Sequence, residues 1–138
     1  MCIINAPEYA SFRTNIVKLS EDYNPGTYII RSYTDNKVEV NNSTYESSLI
    51  ISNTKLITDW EINNIEQMTH NHWLALIEPG PEVILIGTGA SLVFPHPSTY
   101  RPAIERGIGV EFMDSGAACR TYNILLSEDR FVIAGIIL

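Results

Sequence analysis

Three short apolar runs, closed by glycine or polar residues and separated by stretches of helical spacing, constrain this chain most. Residues 83–86 read Val-Ile-Leu-Ile before Gly87; residues 109–113 read Gly-Val-Glu-Phe-Met; residues 131–138 close the sequence with Phe-Val-Ile-Ala-Gly-Ile-Ile-Leu. An apolar run of this length without alternation suits a strand buried on both faces. Between the first two, residues 98–106 predict a helix with Tyr100, Ala103 and Ile104 on one side, and Gly107 stands where a helix C-cap glycine belongs. Between the last two, residues 116–127 predict a helix with an apolar stripe of Ala118, Tyr122, Leu125 and Leu126. Ahead of them, Thr69 can cap a helix that runs through Trp73, Leu76 and Ile77 and stops near Glu78-Pro79-Gly80-Pro81. A β-α-β-α-β succession of buried strands implies an α/β fold, a mixed β-sheet with packed helices.

The preceding segment reads as an N-terminal antiparallel β-meander. Residues 27–33 are β-branched and aromatic, and Asp35-Asn36 follows as a turn. Lys37-Val38-Glu39-Val40 alternates as a half-buried strand does, Asn41-Asn42 is a second turn, and residues 44–51 supply the third strand. With 138 residues, no internal repeat and no long linker, the chain reads as a single domain over residues 1–138.

Charge and cysteine usage restrict the partners. Sixteen acidic against 9 basic residues give a net charge of −7, and no Lys/Arg run offsets it locally. That balance repels a phosphate backbone and an anionic membrane surface, so no nucleic-acid partner is expected. Cys2 and Cys119 lie far apart without CxxC spacing, too few for a secreted disulfide scaffold. The opening Met1-Cys2-Ile3-Ile4-Asn5-Ala6-Pro7 has neither a basic-then-apolar signal pattern nor an Arg-rich amphipathic one. The longest apolar stretch, residues 131–138, is too short to span a bilayer. These features predict a cytoplasmic protein with no integral membrane segment.

The residues with chemical potential sit at two strand ends. Gly87-Thr88-Gly89 follows a strand, where α/β proteins place ligand-binding turns. The third glycine of a dinucleotide fingerprint is replaced by Leu92, and no Gly-Lys-Ser/Thr ending makes a P-loop. The turn is therefore either a tight backbone bend or a ligand loop of another kind. Asp114 and Ser115 open the last helix, where free N–H groups can hold a small anion, and Gly116, Arg120 and Asn123 recur at helical spacing. Gly87, Thr88, Gly89, Asp114, Ser115, Arg120 and Asn123 thus form the candidate ligand-binding set; a helix cap with a structural polar network is the competing reading. Arg120 is expected partly buried against Asp114. No catalytic residue, metal site or cofactor is assigned. Cys119 has only Arg120 beside it to favour a thiolate. His70 and His72 diverge by about 200° on a helix, His96 stands between prolines, and Ser91 lacks a nucleophile elbow.

Gly87-Thr88-Gly89, then Gly107-Ile108-Gly109-Val110-Glu111-Phe112-Met113-Asp114, then Ala117-Ala118-Cys119-Arg120-Thr121-Tyr122-Asn123, with the closing strand, resemble the signature blocks of a known domain family. It is the family of unknown function related to mitochondrial complex I assembly factor 3 and to an adipogenesis-associated animal protein. The resemblance spans about residues 16–138 and implies a three-layer α/β arrangement around a mixed sheet. It supplies no reaction. Glu128-Asp129-Arg130 stands where the family usually has Glu-Gly-Arg, and Gly135 is expected to interrupt the last strand. The resemblance implies a non-enzymatic protein-interaction or respiratory-complex-assembly-like module with an unknown protein partner. A small-anion binder or enzyme using the Gly87 and Asp114 strand ends, and a structural role in a homo-oligomer, are the alternatives.

Overall fold

The computed structural model describes residues 26–138; Cys2 and the N-terminal stretch read for targeting signals lie outside the described residues. β1 (Ile30–Thr34), β2 (Lys37–Val40) and β3 (Ser43–Tyr45) pair antiparallel in that order. The first hairpin turns on Asp35 and Asn36, with φ of 53° and 59°. Two consecutive positive φ angles are what a type I′ turn demands, and Asp and Asn tolerate them. Val38 and Val40 are buried and Lys37 is exposed, as the alternation predicts.

The expected third strand divides in two. β3 ends at Tyr45, and β4 (Leu49–Ile51) joins a second sheet. The reason is burial: Leu49 and Ile51 are completely buried, and a half-solvated meander edge would leave them wet, whereas a central strand does not. This second sheet has the order β5-β4-β8-β6-β7, with β5 (Leu56–Ile57), β6 (Val83–Gly87), β7 (Gly109–Met113) and β8 (Val132–Ile136). β8, β6 and β7 are parallel, while β4 is antiparallel to β8 and β5 to β4. The sheet is therefore mixed, and the two-residue β5 is an addition to the sequence reading.

Strand alternation sorts the core into two layers. Val83 and Leu85 face Ala118, Cys119 and Tyr122 of α3 (Ser115–Ser127), and Ile30, Val38 and Val40 of the meander join that cluster. Ile84 and Ile86 face the other way, onto Trp73, Leu76 and Ile77 of α1 (His70–Ile77) and Ala103 of α2 (Arg101–Glu105). Every residue of β6 is buried, so the apolar run Val-Ile-Leu-Ile serves both faces. The result is a three-layer α/β fold with α1 and α2 on one face and α3 with the meander on the other.

Three sequence expectations change in detail. Pro97–Thr99 forms a 3-10 turn and α2 starts only at Arg101. Tyr100 and Ala103 face inward, but Ile104 is 52% exposed; a five-residue helix lays only a narrow edge on the sheet. Gly135 does not interrupt β8, because it pairs in register with both Ile50 and Ile86. Its missing side chain instead makes room for Trp60, whose ring carbons lie 2.8 Å from where a Cβ would stand. Asp129, in the turn where the family usually has glycine, takes φ 59°, a left-handed geometry Asp accepts more readily than most residues.

Candidate functional site

The carboxyl ends of β6 and β7 converge as the sequence predicts, and the first turn of α3 closes over them. A Cβ at Gly87 would lie 2.8 Å from both Cα and Oγ of Ser115 and 3.0 Å from Cβ of Ala118, so glycine sets the closeness of this helix–strand contact. Ser115 is fully buried. Its Oγ accepts the Gly89 N–H at 2.9 Å and donates to the Ile137 carbonyl at 2.5 Å, while its N–H donates to the Gly89 carbonyl at 2.8 Å. The Ile137 N–H in turn donates to the Gly87 carbonyl at 3.0 Å. Three chain segments are pinned through one hydroxyl and its neighbours.

Thr88 is similarly engaged. Its N–H donates to the Met113 carbonyl at 2.8 Å, its Oγ1 donates to the Ser91 carbonyl at 2.6 Å, and the same oxygen accepts the Val93 N–H at 3.0 Å. Asp114 is the N-cap of α3 and accepts the Ala117 N–H at 2.9 Å. Gly87, Thr88, Gly89, Asp114 and Ser115 therefore meet in one place, with these polar groups bonded to one another or to adjacent backbone.

The other two candidates lie elsewhere on α3. Asn123 meets β1: its Oδ1 accepts the Ile30 N–H at 3.1 Å and its Nδ2 donates to the Ile30 carbonyl at 2.5 Å. The side-chain amide copies a peptide group and closes the edge of β1 there. One residue earlier, the fully buried Tyr122 donates its phenol to the Tyr28 carbonyl at 2.7 Å. Arg120 corrects the sequence reading. It is exposed, and among the described residues it makes no ion pair with Asp114. Six helical steps separate the two by about 240°, so proximity in sequence does not bring them together.

The chemistry of the reactive side chains follows from burial. The Cys119 thiol is free and buried; burial pushes it up to about 12, with Asp114 raising it further and the Arg120 charge opposing only in part. A thiol held there is neutral near pH 7 and is a poor nucleophile. Burial also raises the Tyr122 phenol. Among the described residues no group of three or more His, Cys, Asp or Glu could hold a metal ion.

One polar chain was not anticipated. His72 Nδ1 lies 2.9 Å from Thr69 Oγ1, and its Nε2 lies 2.9 Å from Glu61 Oε2. This is the hydroxyl–imidazole–carboxylate order of a hydrolytic triad. However, Nδ1 already accepts the Thr69 backbone N–H at 2.9 Å, and both Thr69 and Glu61 are exposed. The arrangement is a cap for α1, and the i, i+3 spacing of Thr69 and His72 is the signal that could have found it. The hydrogen bond from His72 draws the Glu61 carboxyl below its ordinary value.

Two surface features complete the description. An open groove of about 690 Å³ lies between α1 and α2 at the amino ends of β6 and β7, lined in part by Leu74, Ile77, Arg106 and Ile108. At the other end, the loop after β6 exposes three consecutive apolar residues, Leu92 at 49%, Val93 at 39% and Phe94 at 70%. No helix among the described residues is long and apolar enough to cross a membrane.

Known proteins resemble this chain in sequence and in fold. A "13 kDa major membrane protein" of Francisella tularensis subsp. holarctica is 30% identical over 85% of this chain and 96% of its own. The mouse "NADH dehydrogenase [ubiquinone] 1 alpha subcomplex assembly factor 3" is 27% identical over 91% of this chain and 68% of its own. A crystal structure of a Bordetella parapertussis protein superposes with a TM-score of 0.76 at 30% identity, covering 81% of this chain and 96% of that one. Residues 30–137 match the DUF498/DUF598 family, described as proteins of unknown function, and the chain belongs to that family.

Proposed function

We propose that this chain is a non-enzymatic protein-interaction module of the assembly-factor kind. The observation that carries this reading is the exposed run Leu92-Val93-Phe94. Scattered exposed apolar residues are ordinary, but three in sequence on one loop mark a contact surface. The strand-end crevice supports the same reading from the other side. Where an α/β enzyme places its ligand, this chain spends Thr88, Ser115 and Asp114 on joining β6, β7, α3 and the C-terminus. The name of the mouse relative, an assembly factor for a respiratory complex, supports a protein as the partner. The free, buried Cys119 suits the reducing cytoplasm, where we place the protein.

The test is quantitative recovery of proteins with the tagged chain from native cells, compared with its Phe94→Asp variant. Phe94 is 70% exposed, so the substitution spares the core. A partner recovered with the parent and lost with Phe94→Asp is the expected outcome. Identical recoveries from both, with the variant folded by circular dichroism, would overturn the reading.

A further inference from the structure

Among the described residues the five-stranded sheet ends on β7, and no strand pairs with its outer edge. β7 pairs with β6 on one side and is the terminal strand of the order β5-β4-β8-β6-β7. The Gly109 N–H donates to Glu82 and the Met113 carbonyl accepts from Thr88, so residues 109, 111 and 113 direct their backbone groups toward β6. The backbone N–H and C=O of Val110 and Phe112 therefore point outward. Among the described residues no hydrogen bond to them is found. An unpaired row of this kind is a template for another strand.

The other edges are less suited. β5 has two residues and β3 has three. β1 is closed at Ile30 by Asn123, and Arg31, Ser32 and Thr34 leave it polar. β7 is five residues long and is flanked by apolar surface: Phe94, 70% exposed, packs edge-on against Phe112 at a ring separation of 6.3 Å, and Ile104 of α2 is 52% exposed.

Charge identifies the occupant. Glu111 is the central residue of β7 and its side chain is exposed, on the sheet face opposite Val110 and Phe112. A second copy is a poor fit. The antiparallel register that uses both Val110 and Phe112 of each copy sets Glu111 directly against its own counterpart, and like charges directly opposite are destabilising. A basic residue there is favoured, all the more on a chain of net charge −7. We infer that the β7 edge takes an extended segment of a partner protein as a sixth strand, with a Lys or Arg opposite Glu111 and apolar residues on either side of it against Val110, Phe112 and Phe94. Backbone bonds to Val110 and Phe112 supply the pairing, and the alternation of the incoming segment supplies the choice of partner.

This inference rests on the protein-interaction reading above and is tested separately from it. The probe is the peptide acetyl-Thr-Val-Lys-Val-Thr-amide, titrated to about 5 mM into the ¹⁵N-labelled full chain so that even a millimolar Kd is read. The expected result is amide shifts concentrated at Val110 and Phe112, with their exchange slowed. Replacing the peptide's lysine by glutamate weakens binding about fivefold, and Glu111→Lys in the protein reverses that preference. Shifts elsewhere, or none, overturn the inference. So do Val110 and Phe112 amides already protected in the free protein, because the edge is then occupied by another part of the chain or by a second copy. If Phe94→Asp loses the cellular partner and Glu111→Lys retains it, the edge pairing falls while the interaction reading stands.

Discussion

Asn123→Ala separates the structural from the ligand-binding role of the most clearly engaged candidate residue. Asn123 is bonded through both ends of its amide to the backbone of Ile30, 93 residues away in sequence. Truncation orphans one N–H and one C=O on a residue only 5% exposed. A buried polar group left unpaired costs about 1–3 kcal/mol. Because β1 is an edge strand, water replaces part of each bond, which places the total at about 2–4 kcal/mol. For a domain of this size that lowers Tm by about 6–15 °C. The assay is thermal melting by circular dichroism, paired with amide hydrogen exchange. The Ile30 amide should lose protection, and the β6 amides should keep theirs apart from the global shift. A melting temperature within about 2 °C of the parent, with Ile30 exchange unchanged, would refute the reasoning and return Asn123 to the list of ligand-binding candidates.

The remaining predictions use the same measurements. Arg120→Ala should leave stability within about 0.5 kcal/mol of the parent, because Arg120 is exposed and has no ion pair with Asp114; a drop of several degrees in Tm would contradict that. Gly87→Ala drives a Cβ to 2.8 Å from the Ser115 backbone and should cost about 3 kcal/mol or prevent folding, whereas Gly109→Ala meets nothing nearer than 3.7 Å and should cost under about 1 kcal/mol. Equal urea midpoints for the two would refute the packing argument. In alkali, Cys119 and Tyr122 both have folded values raised by burial. Their neutral forms contribute stability that is complete below the ordinary values of 9.0 and 10.0 and is lost as pH rises toward the folded ones. The unfolded chain then binds fewer protons, so stability falls with pH by up to about 1.4 kcal/mol per pH unit for each group. Urea midpoints measured from pH 8 upward (about one-unit steps) should decline, and Cys119→Ala should make the decline shallower.

The sequence announced the parallel core because its signals are local and redundant. Residues 83–86 are apolar without alternation, Gly107 turns with φ 75° after α2, and Asp114 caps α3 with its own carboxylate. Each of these is decided within a few residues, and each was readable. What misled was decided by distant partners. Residues 44–51 look like one strand, yet Leu49 and Ile51 find Ile136 and Ala134 of β8, 87 and 83 positions further on, and the strand breaks after Tyr45 to reach it. Gly135 looked like an interruption because its reason is the ring of Trp60, a residue with no local relation to it. The candidate site follows the same division. The meeting of Gly87 with Asp114 and Ser115 was legible from two strand ends, whereas Asn123 could not be matched to Ile30 from spacing alone.

The closure of the strand ends gives the fold's economy a physical cause. A ligand crevice in a parallel sheet requires the loops after two neighbouring strands to part, leaving helix N-terminal N–H groups free. Here the loop after β6 leaves through Gly89 at φ 103°, and α3 begins directly after β7 with its first residue against Gly87. The C-terminus then passes the same point, where the Ile137 carbonyl takes the Ser115 hydroxyl. Three segments meet at the strand ends, and the loop that leaves them carries Leu92, Val93 and Phe94 outward. Tight packing at the joint and an apolar surface on the loop are thus two consequences of one chain path. Widening the joint should therefore act on both. Ser115→Ala removes the hydroxyl that receives Gly89 and gives to Ile137, at a cost of about 2–4 kcal/mol. By freeing Gly89 it should also weaken partner recovery, although Ser115 is fully buried and touches no partner. Recovery that stays at the parental level in a variant folded but measurably destabilised would show that the loop holds its position without the joint.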